Sequence, residues 1–354
     1  MKDENYLKGR GSQINTHNRF QNQQLVREHW EGIDEVDDSD IRTEFIEVFP
    51  KTILNKVDSQ DIGAVYSMNP YQGCEHGCIY CYARNSHEYW GYSAGLDFER
   101  KILVKKNAPL LLEQTFSKKN YEPFPIMFSG NTDCYQPAER KLEITRKMLE
   151  VCLKYKHPVS MITKNSLILR DLDIITELSK LNLINVSISL TTLDEELRRI
   201  MEPRTASAAK KLETIRILSS NGIPVNVMMA PVIPALNSSE IPDVAKKVAE
   251  AGALSVNYTI VRLNGQIAML FTDWVKKNFP DRAEKVLNQI SECHGGQLND
   301  SRPGIRMKGE GVISKQIKDL FKIARKHYFK NKKFPELNLD LFDRTAGENQ
   351  MKLF

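Results

Sequence analysis

Cys74, Cys78 and Cys81 stand in the run Gly73-Cys74-Glu75-His76-Gly77-Cys78-Ile79-Tyr80-Cys81, three thiols spaced C-x3-C-x2-C. Three thiolates on one short loop can bind three corners of a [4Fe–4S] cluster and leave the fourth iron without a protein ligand. An open iron takes up a small molecule and so does chemistry, where a fully ligated cluster mainly carries electrons. Zinc held by Cys74, Cys78, Cys81 and either His76 or His87 is the competing use. Structural zinc sites, however, usually come as two ligand pairs on separate turns, and the sequence offers no second pair. A disulfide framework fits less well. The first residues, Met1-Lys2-Asp3-Glu4-Asn5, are charged and do not read as a secretory signal. The expected location is cytoplasmic, where clustered thiols mean metal or catalysis.

Such a loop needs a frame. A chain of 354 residues with 41% hydrophobic content can hold one large α/β barrel or two ordinary domains. No stretch approaches the roughly 20 apolar residues of a membrane span. From residue 62 onward strand and helix signals alternate. Ala64 to Met68 reads as a strand leading into the cysteine loop. Pro125 to Ser129 follows, then a helix from Ala138 to Tyr155. The strand Pro158 to Thr163 precedes a helix over 171–181. The strand Asn185 to Leu190 precedes helices over 194–201 and 207–221, the latter stopped by Asn221-Gly222. The strand Val225 to Met229 precedes a helix Ser239 to Ala251, with Ser238 or Ser239 as N-cap. Leu254 to Ile260 is the sixth strand.

Six β–α repeats imply a parallel sheet with right-handed crossovers. A flat parallel sheet covered on both faces is apolar on both. Here Asn185, Ser187 and Ser189 alternate with Val186, Ile188 and Leu190. Ser255, Asn257 and Thr259 alternate with Leu254, Val256 and Tyr258. A polar face on two strands points to a curled sheet with a ligand-lined lumen. The predicted fold is therefore α/β, a (β/α)6 sheet curled into a barrel with a polar lumen over 61–265. An N-terminal arm over 1–60, partly disordered, precedes it. A helical extension over 266–333 and a flexible tail over 334–354 follow.

Net charge is only +5, but its distribution is uneven. Glu28 to Glu47 holds nine acidic residues and one basic one; Glu310 to Lys333 holds eight Lys or Arg and two acids. Lys315, Lys318, Lys322, Arg325 and Lys326 recur at helical spacing. They form either a solvated face or a set of phosphate contacts to nucleic acid.

The triplet, with the aromatic Tyr80 just before its last cysteine, resembles the signature of the radical SAM superfamily. The resemblance implies a partial (β/α)6 TIM-like barrel and a [4Fe–4S] cluster whose open iron binds the amino and carboxylate groups of S-adenosylmethionine. It also implies reductive cleavage to a 5′-deoxyadenosyl radical that abstracts hydrogen from substrate, fed by a reductant such as flavodoxin or ferredoxin. Tyr80 would lie beside the adenine. The end of strand two, Gly130-Asn131-Thr132-Asp133, replaces the family's Gly-Gly-Glu type motif, with Thr132 and Asp133 as acceptors for the SAM ammonium. Lys164 and Ser189, at the ends of strands three and four, join the same site. Arg204 would fork onto the SAM carboxylate; Val232 and Ile233 would pack on adenine. Cys134, beside this site, is either a hydrogen-atom donor to a substrate radical or a bystander.

Met68-Asn69-Pro70-Tyr71-Gln72-Gly73-Cys74, Asn131 to Pro137, Glu202-Pro203-Arg204, Ala230 to Pro234 and Asn299 to Arg302 resemble the spore photoproduct lyase-like, DNA repair branch of that superfamily. In that branch the cysteine donor precedes the Thr/Ser-Asp step, whereas Cys134 follows Asp133. The expected activity is that of a lyase on nucleic acid. The alternatives are a radical SAM enzyme acting on a peptide or small metabolite, and a non-catalytic Fe–S or zinc scaffold. Gln350, Leu353 and Phe354, and upstream Leu341 and Phe342, resemble the short peptides that dock bacterial proteins on the DNA sliding clamp, an expected partner.

Overall fold

The computed structural model describes residues 6–20, 42–63 and 65–347. Its strands are β1 (Glu44–Glu47), β2 (Leu54–Lys56), β3 (Tyr66–Met68), β4 (Tyr71–Gln72), β5 (Lys101–Val104), β6 (Ile126–Phe128), β7 (Val159–Thr163), β8 (Ile184–Ser189), β9 (Val225–Val232) and β10 (Ser255–Ile260). Seven of them form one sheet in the order β10-β9-β8-β7-β6-β3-β2. The six from β3 to β10 run parallel, as the alternation of elements demands; β2 adds an antiparallel edge at β3. The sheet does not close, because β10 and β2 are its two free edges. It is a partial TIM-like barrel.

The two faces of its strands differ as the sequence requires. Ile184, Val186 and Ile188 of β8, and Val225, Val227 and Met229 of β9, are buried. They pack in one cluster with Ile175 and Leu178, Ile215 and Leu218, and Val244 and Val248 from the covering helices. Each such side chain contributes about 1.5–3 kcal/mol by leaving water. The other face is polar. Ser187, Asn226 and Ser255 occupy one level across three strands. Asn226 Nδ2 donates to Ser187 Oγ at 3.0 Å, and Asn226 Oδ1 accepts from Ser255 Oγ at 2.7 Å and Asn257 Nδ2 at 2.8 Å. The lumen is lined by satisfied polar groups.

Local details follow residue chemistry. The helix Ala208–Ser220 starts at Ser207, whose side chain accepts from Lys210 N. It stops at Gly222, which takes φ +74 as a C-terminal glycine can. Three expectations shift. The helix over 138–155 is two pieces, Glu139–Leu142 and Ile144–Lys154, divided at Glu143 with φ 52. Ser238 and Ser239 do not cap; they lie in a 3-10 turn before the helix Ile241–Glu250. Strand β9 runs on to Val232. A second sheet, ordered β1-β5-β4, has no counterpart among the elements expected from the sequence.

Beyond β10 come the helices Ile267–Asn278, Ala283–Cys293 and Gly311–Tyr328. Residues after them lie on the barrel rather than free. Asn338 N donates to Asn182 O at 2.8 Å, Asp343 N to Tyr155 O at 3.0 Å, and Arg344 Nη2 to Tyr121 O at 2.7 Å. Leu341 and Phe342 are half-buried, and the Phe342 ring lies 5.5–5.9 Å from those of His157, Tyr121 and Phe116. The core takes up this pair, so it is not a free clamp-docking anchor. Gln350, Leu353 and Phe354 lie outside the described residues. No helix among the described residues is long and apolar enough to cross a membrane.

Candidate functional site

The cysteine loop leaves β3 and is fixed from three sides. Cys74 N donates to Phe98 O at 2.8 Å and Ile79 N to Met201 O at 3.1 Å. Arg84, fully buried, donates to the carbonyls of Cys78 at 3.0 Å and Gly77 at 3.2 Å, and to Glu99 Oε1 at 2.5 Å. Glu99 also accepts from Gly11 N at 3.1 Å and Ser12 N at 2.8 Å. A Cβ on Gly11 would stand 1.7 Å from Gly77 O. Residues 6–20 therefore clasp the loop, with Arg10, Gly11 and Ser12 buried, where the sequence suggested a partly disordered arm.

The end of β6 supplies the fourth wall. Ser129 takes φ 67, which turns the chain so that Asn131 N and Thr132 N both reach Asn69 Oδ1, at 2.9 and 3.2 Å. Gln136 stitches this turn to the cysteine loop, accepting from Glu75 N at 2.9 Å and donating to Gly73 O at 3.2 Å. Asn131, Thr132 and Gln136 are thus the braces between the two loops.

These walls enclose a cavity of about 290 Å³ at the C-terminal ends of the strands. Cys74, Cys78 and Cys81 all line it, with Tyr80, Asp133 and Lys164. So do Asn131, Thr132 and Ser189. Burial, and then the nearby Asp133 carboxylate, push the Cys74 thiol well up; burial, and then Glu202, does the same at Cys78. The thiolate form therefore needs a cationic partner in the cavity, which a metal supplies. Among the described residues no three His, Cys, Asp or Glu side chains converge on a single ion. The three cysteines share the lining of one cavity. The donor set and the space fit an iron–sulfur cluster.

Beside Cys78 and Tyr80 is a buried charge network that the sequence did not disclose. The Glu202 carboxylate accepts from Tyr80 OH and Thr191 Oγ1, and lies 3.0 Å from Lys211 Nζ and 3.4 Å from Lys164 Nζ. Burial alone would raise the Glu202 pKa, but the two ammonium groups outweigh it and hold the carboxyl below its usual range. Burial works against the Lys164 charge, and Glu202, Cys78 and Asp133 together more than restore it. Lys164 Nζ also donates to Ser189 Oγ at 2.5 Å, so a cation is fixed at the cavity wall.

Several expected residues have other duties. Asp133 is not a free acceptor: it takes bonds from Thr163 Oγ1 and Lys164 N at 2.8 Å each, and from Tyr135 N at 2.9 Å. His76 Nδ1 lies 3.3 Å away. Arg204 does not line the cavity; its Nε donates to Gly9 O at 3.2 Å and its Nη1 lies 3.7 Å from Glu75. Val232 and Ile233 sit in the core, and Met228, Ala230 and Pro231 line the cavity in their place. Gly130 lies just behind the wall, its carbonyl accepting from Tyr82 OH. Cys134 is fully buried in the barrel core and does not line the cavity, so it is not placed to hand a hydrogen atom into it.

The family model described as the Radical SAM superfamily matches residues 68–248. An uncharacterized protein of Mycobacterium tuberculosis (strain ATCC 25618 / H37Rv) is 32% identical over 240 residues, which is 67% of this chain and 71% of that one. An uncharacterized protein of Methanocaldococcus jannaschii is 28% identical over 229 residues, 65% of this chain and 82% of that one. A solved spore photoproduct lyase variant, with bound AdoMet and dinucleoside spore photoproduct, superposes with a TM-score of 0.58. It shares 15% identity and the match covers 80% of this chain and 79% of that one, a likeness of fold. Family membership implies S-adenosylmethionine and an iron–sulfur cluster, and the three thiols line one cavity. By sequence the chain belongs to the radical SAM superfamily.

Proposed function

We propose that the protein binds a [4Fe–4S] cluster through Cys74, Cys78 and Cys81 and uses it to cleave S-adenosylmethionine beside a nucleic-acid substrate. The observation that carries the reading is the cavity shared by the three thiols and the polar ends of the parallel strands. A cluster held by Cys74, Cys78 and Cys81 would supply the electron for reductive cleavage of S-adenosylmethionine and so the means to abstract hydrogen from substrate.

The chain's own part is to bind, orient and exclude. Lys164, held by Ser189 and Glu202, presents a fixed ammonium to the sulfonium nucleotide's carboxylate. Tyr80 is locked against Glu202, so its ring forms a firm wall beside the last cysteine. Ala230 and Pro231 give an apolar wall suited to a base. The enclosing arm and loops limit water around a reactive intermediate. The polar lumen and the basic segment 315–333 favour a nucleic-acid substrate, as does the fold shared with a DNA lesion-binding lyase. Docking on a DNA sliding clamp through Gln350, Leu353 and Phe354, and reduction by flavodoxin or ferredoxin, complete the proposal.

Anaerobic reconstitution should give about four irons per chain, and dithionite should then yield 5′-deoxyadenosine from S-adenosylmethionine. Cys74→Ala, Cys78→Ala and Cys81→Ala should each abolish both. Fewer than two irons with no cleavage would end the enzyme reading.

A further inference from the structure

A second cavity lies on the open flank of the barrel. It measures about 490 Å³, and Lys308, Lys318, Lys322 and Arg325 line it together with Tyr258 and Ser314. No carboxylate is among its lining residues. Lys318, Lys322 and Arg325 share one face of the helix Gly311–Tyr328 at spacings of four and three. Two of the cations also cap the unpaired edge of β10. Lys308 Nζ donates to Tyr258 O at 2.8 Å, Arg325 Nε to Val256 O at 2.8 Å, and Arg325 Nη2 to Asn257 Oδ1 at 2.8 Å. Lys318 and Lys322 make no hydrogen bond or ion pair with any described residue. Like charges four apart on a helix repel, and an anion between them turns that repulsion into attraction.

The two cavities are separated by little more than one chain segment. Thr259, Ile260 and Met307 line the thiol cavity, while their neighbours Tyr258, Lys308 and Gly309 line the basic one. At the thiol cavity's edge stands Arg262, half-buried and without a hydrogen bond or ion pair among the described residues. Lys318 and Lys322 on one side of this strand end and Arg262 on the other give the repeated phosphates of one backbone two separate cationic contacts.

We propose that the basic cavity is a phosphodiester site. It holds a backbone phosphate of a nucleic-acid strand on Lys318 and Lys322, while the neighbouring nucleotide passes Arg262 into the thiol cavity. This rests on the nucleic-acid function proposed for the thiol cavity and says where the strand enters.

The test uses the full chain with its cluster reconstituted, and compares wild type with Lys318→Gln/Lys322→Gln. Binding of a fluorescent single-stranded oligodeoxynucleotide is followed across a salt series, and cleavage of S-adenosylmethionine without nucleic acid is measured in parallel. The double variant should bind at least about tenfold more weakly, with a salt slope smaller by about one for each phosphate it no longer neutralises. Its uncoupled cleavage should match wild type. Equal affinity and slope in the two proteins would overturn the phosphodiester site and leave the nucleic-acid function standing. No wild-type binding at low salt, with cleavage intact, would overturn both. Loss of cleavage in wild type alone would strike the enzymatic proposal and not this one.

Discussion

Arg84 and Glu99 form an ion pair at 2.5 Å with neither side chain exposed to solvent. Arg84 spends its other donors on the carbonyls of the cysteine loop, and Glu99 spends its oxygens on the amides of Gly11 and Ser12. Removing one partner leaves the other charged and dry. Glu99→Ala should destabilise the protein by about 3–5 kcal/mol and lower its iron content together with its resistance to trypsin at Arg10. Urea unfolding, iron assay and limited proteolysis check this. A variant that unfolds like wild type and keeps its iron would refute the clasp.

Glu202 is the counter-ion of two lysines, and Lys211 is almost wholly enclosed with it. Glu202→Gln should cost about 3–5 kcal/mol, because the Lys211 ammonium loses its compensation. Adding Lys211→Met should restore part of that loss, since it removes the buried ammonium that Glu202→Gln leaves uncompensated. Denaturant melts of the two single variants and the double variant decide it; strict additivity of the losses would contradict the pairing.

His157 gives the fold an acid-sensitive point. Its ring stacks on Phe116 at 4.2 Å, Nδ1–H donates to Pro158 O at 3.0 Å, and Nε2 accepts from Tyr121 OH at 2.8 Å. Burial pushes its pKa down to about 3 from 6.5, with the Pro158 bond opposing. In the folded protein the ring therefore stays neutral while the unfolded chain takes up a proton below pH 6.5. Its contribution is complete above 6.5 and is lost as pH falls toward 3, at about 1.4 kcal/mol per pH unit. Urea unfolding at pH 7, 6 and 5 should show that slope, and His157→Gln should flatten it. Parallel slopes for the two proteins would count against it.

Cys134 offers a negative control. With its thiol in the core, Cys134→Ala should cost about 1 kcal/mol in packing and leave the yield of 5′-deoxyadenosine from S-adenosylmethionine within twofold of wild type. Chromatography of the cleavage products measures this. A tenfold loss with normal iron content would return the thiol to the reaction.

Much of the frame was legible because two periods repeat in the chain. The alternation in Asn185 to Leu190 and Leu254 to Ile260 disclosed both the strands and their wet face. The thiol spacing disclosed the loop. Failure came where an outcome depends on register or on distant partners. Strand β9 continues three residues past Met229, and its register against β10 slips by one between Met229 and Val232, so Met228 and Ala230 reach the lumen while Val232 falls in the core. Asp133 carries the right chemistry but is consumed by Thr163 and Lys164, neighbours brought in by another strand. Glu202 and Lys211 lie on different elements and meet only through the packing of the helix Ala208–Ser220. The second sheet depends on the two-residue strand Tyr71–Gln72, too short to carry a pattern.

The clasp also sets an order of events during synthesis. Residues 6–20 are made early, yet Gly11 and Ser12 dock on a side chain 88 and 87 positions downstream, and His17 accepts a bond from Gln266, 249 positions downstream. The segment settles fully only after just over three-quarters of the polypeptide has left the ribosome. The cover over the cysteine loop itself needs only Glu99, so the first half of the clasp can close long before its last bond to Gln266.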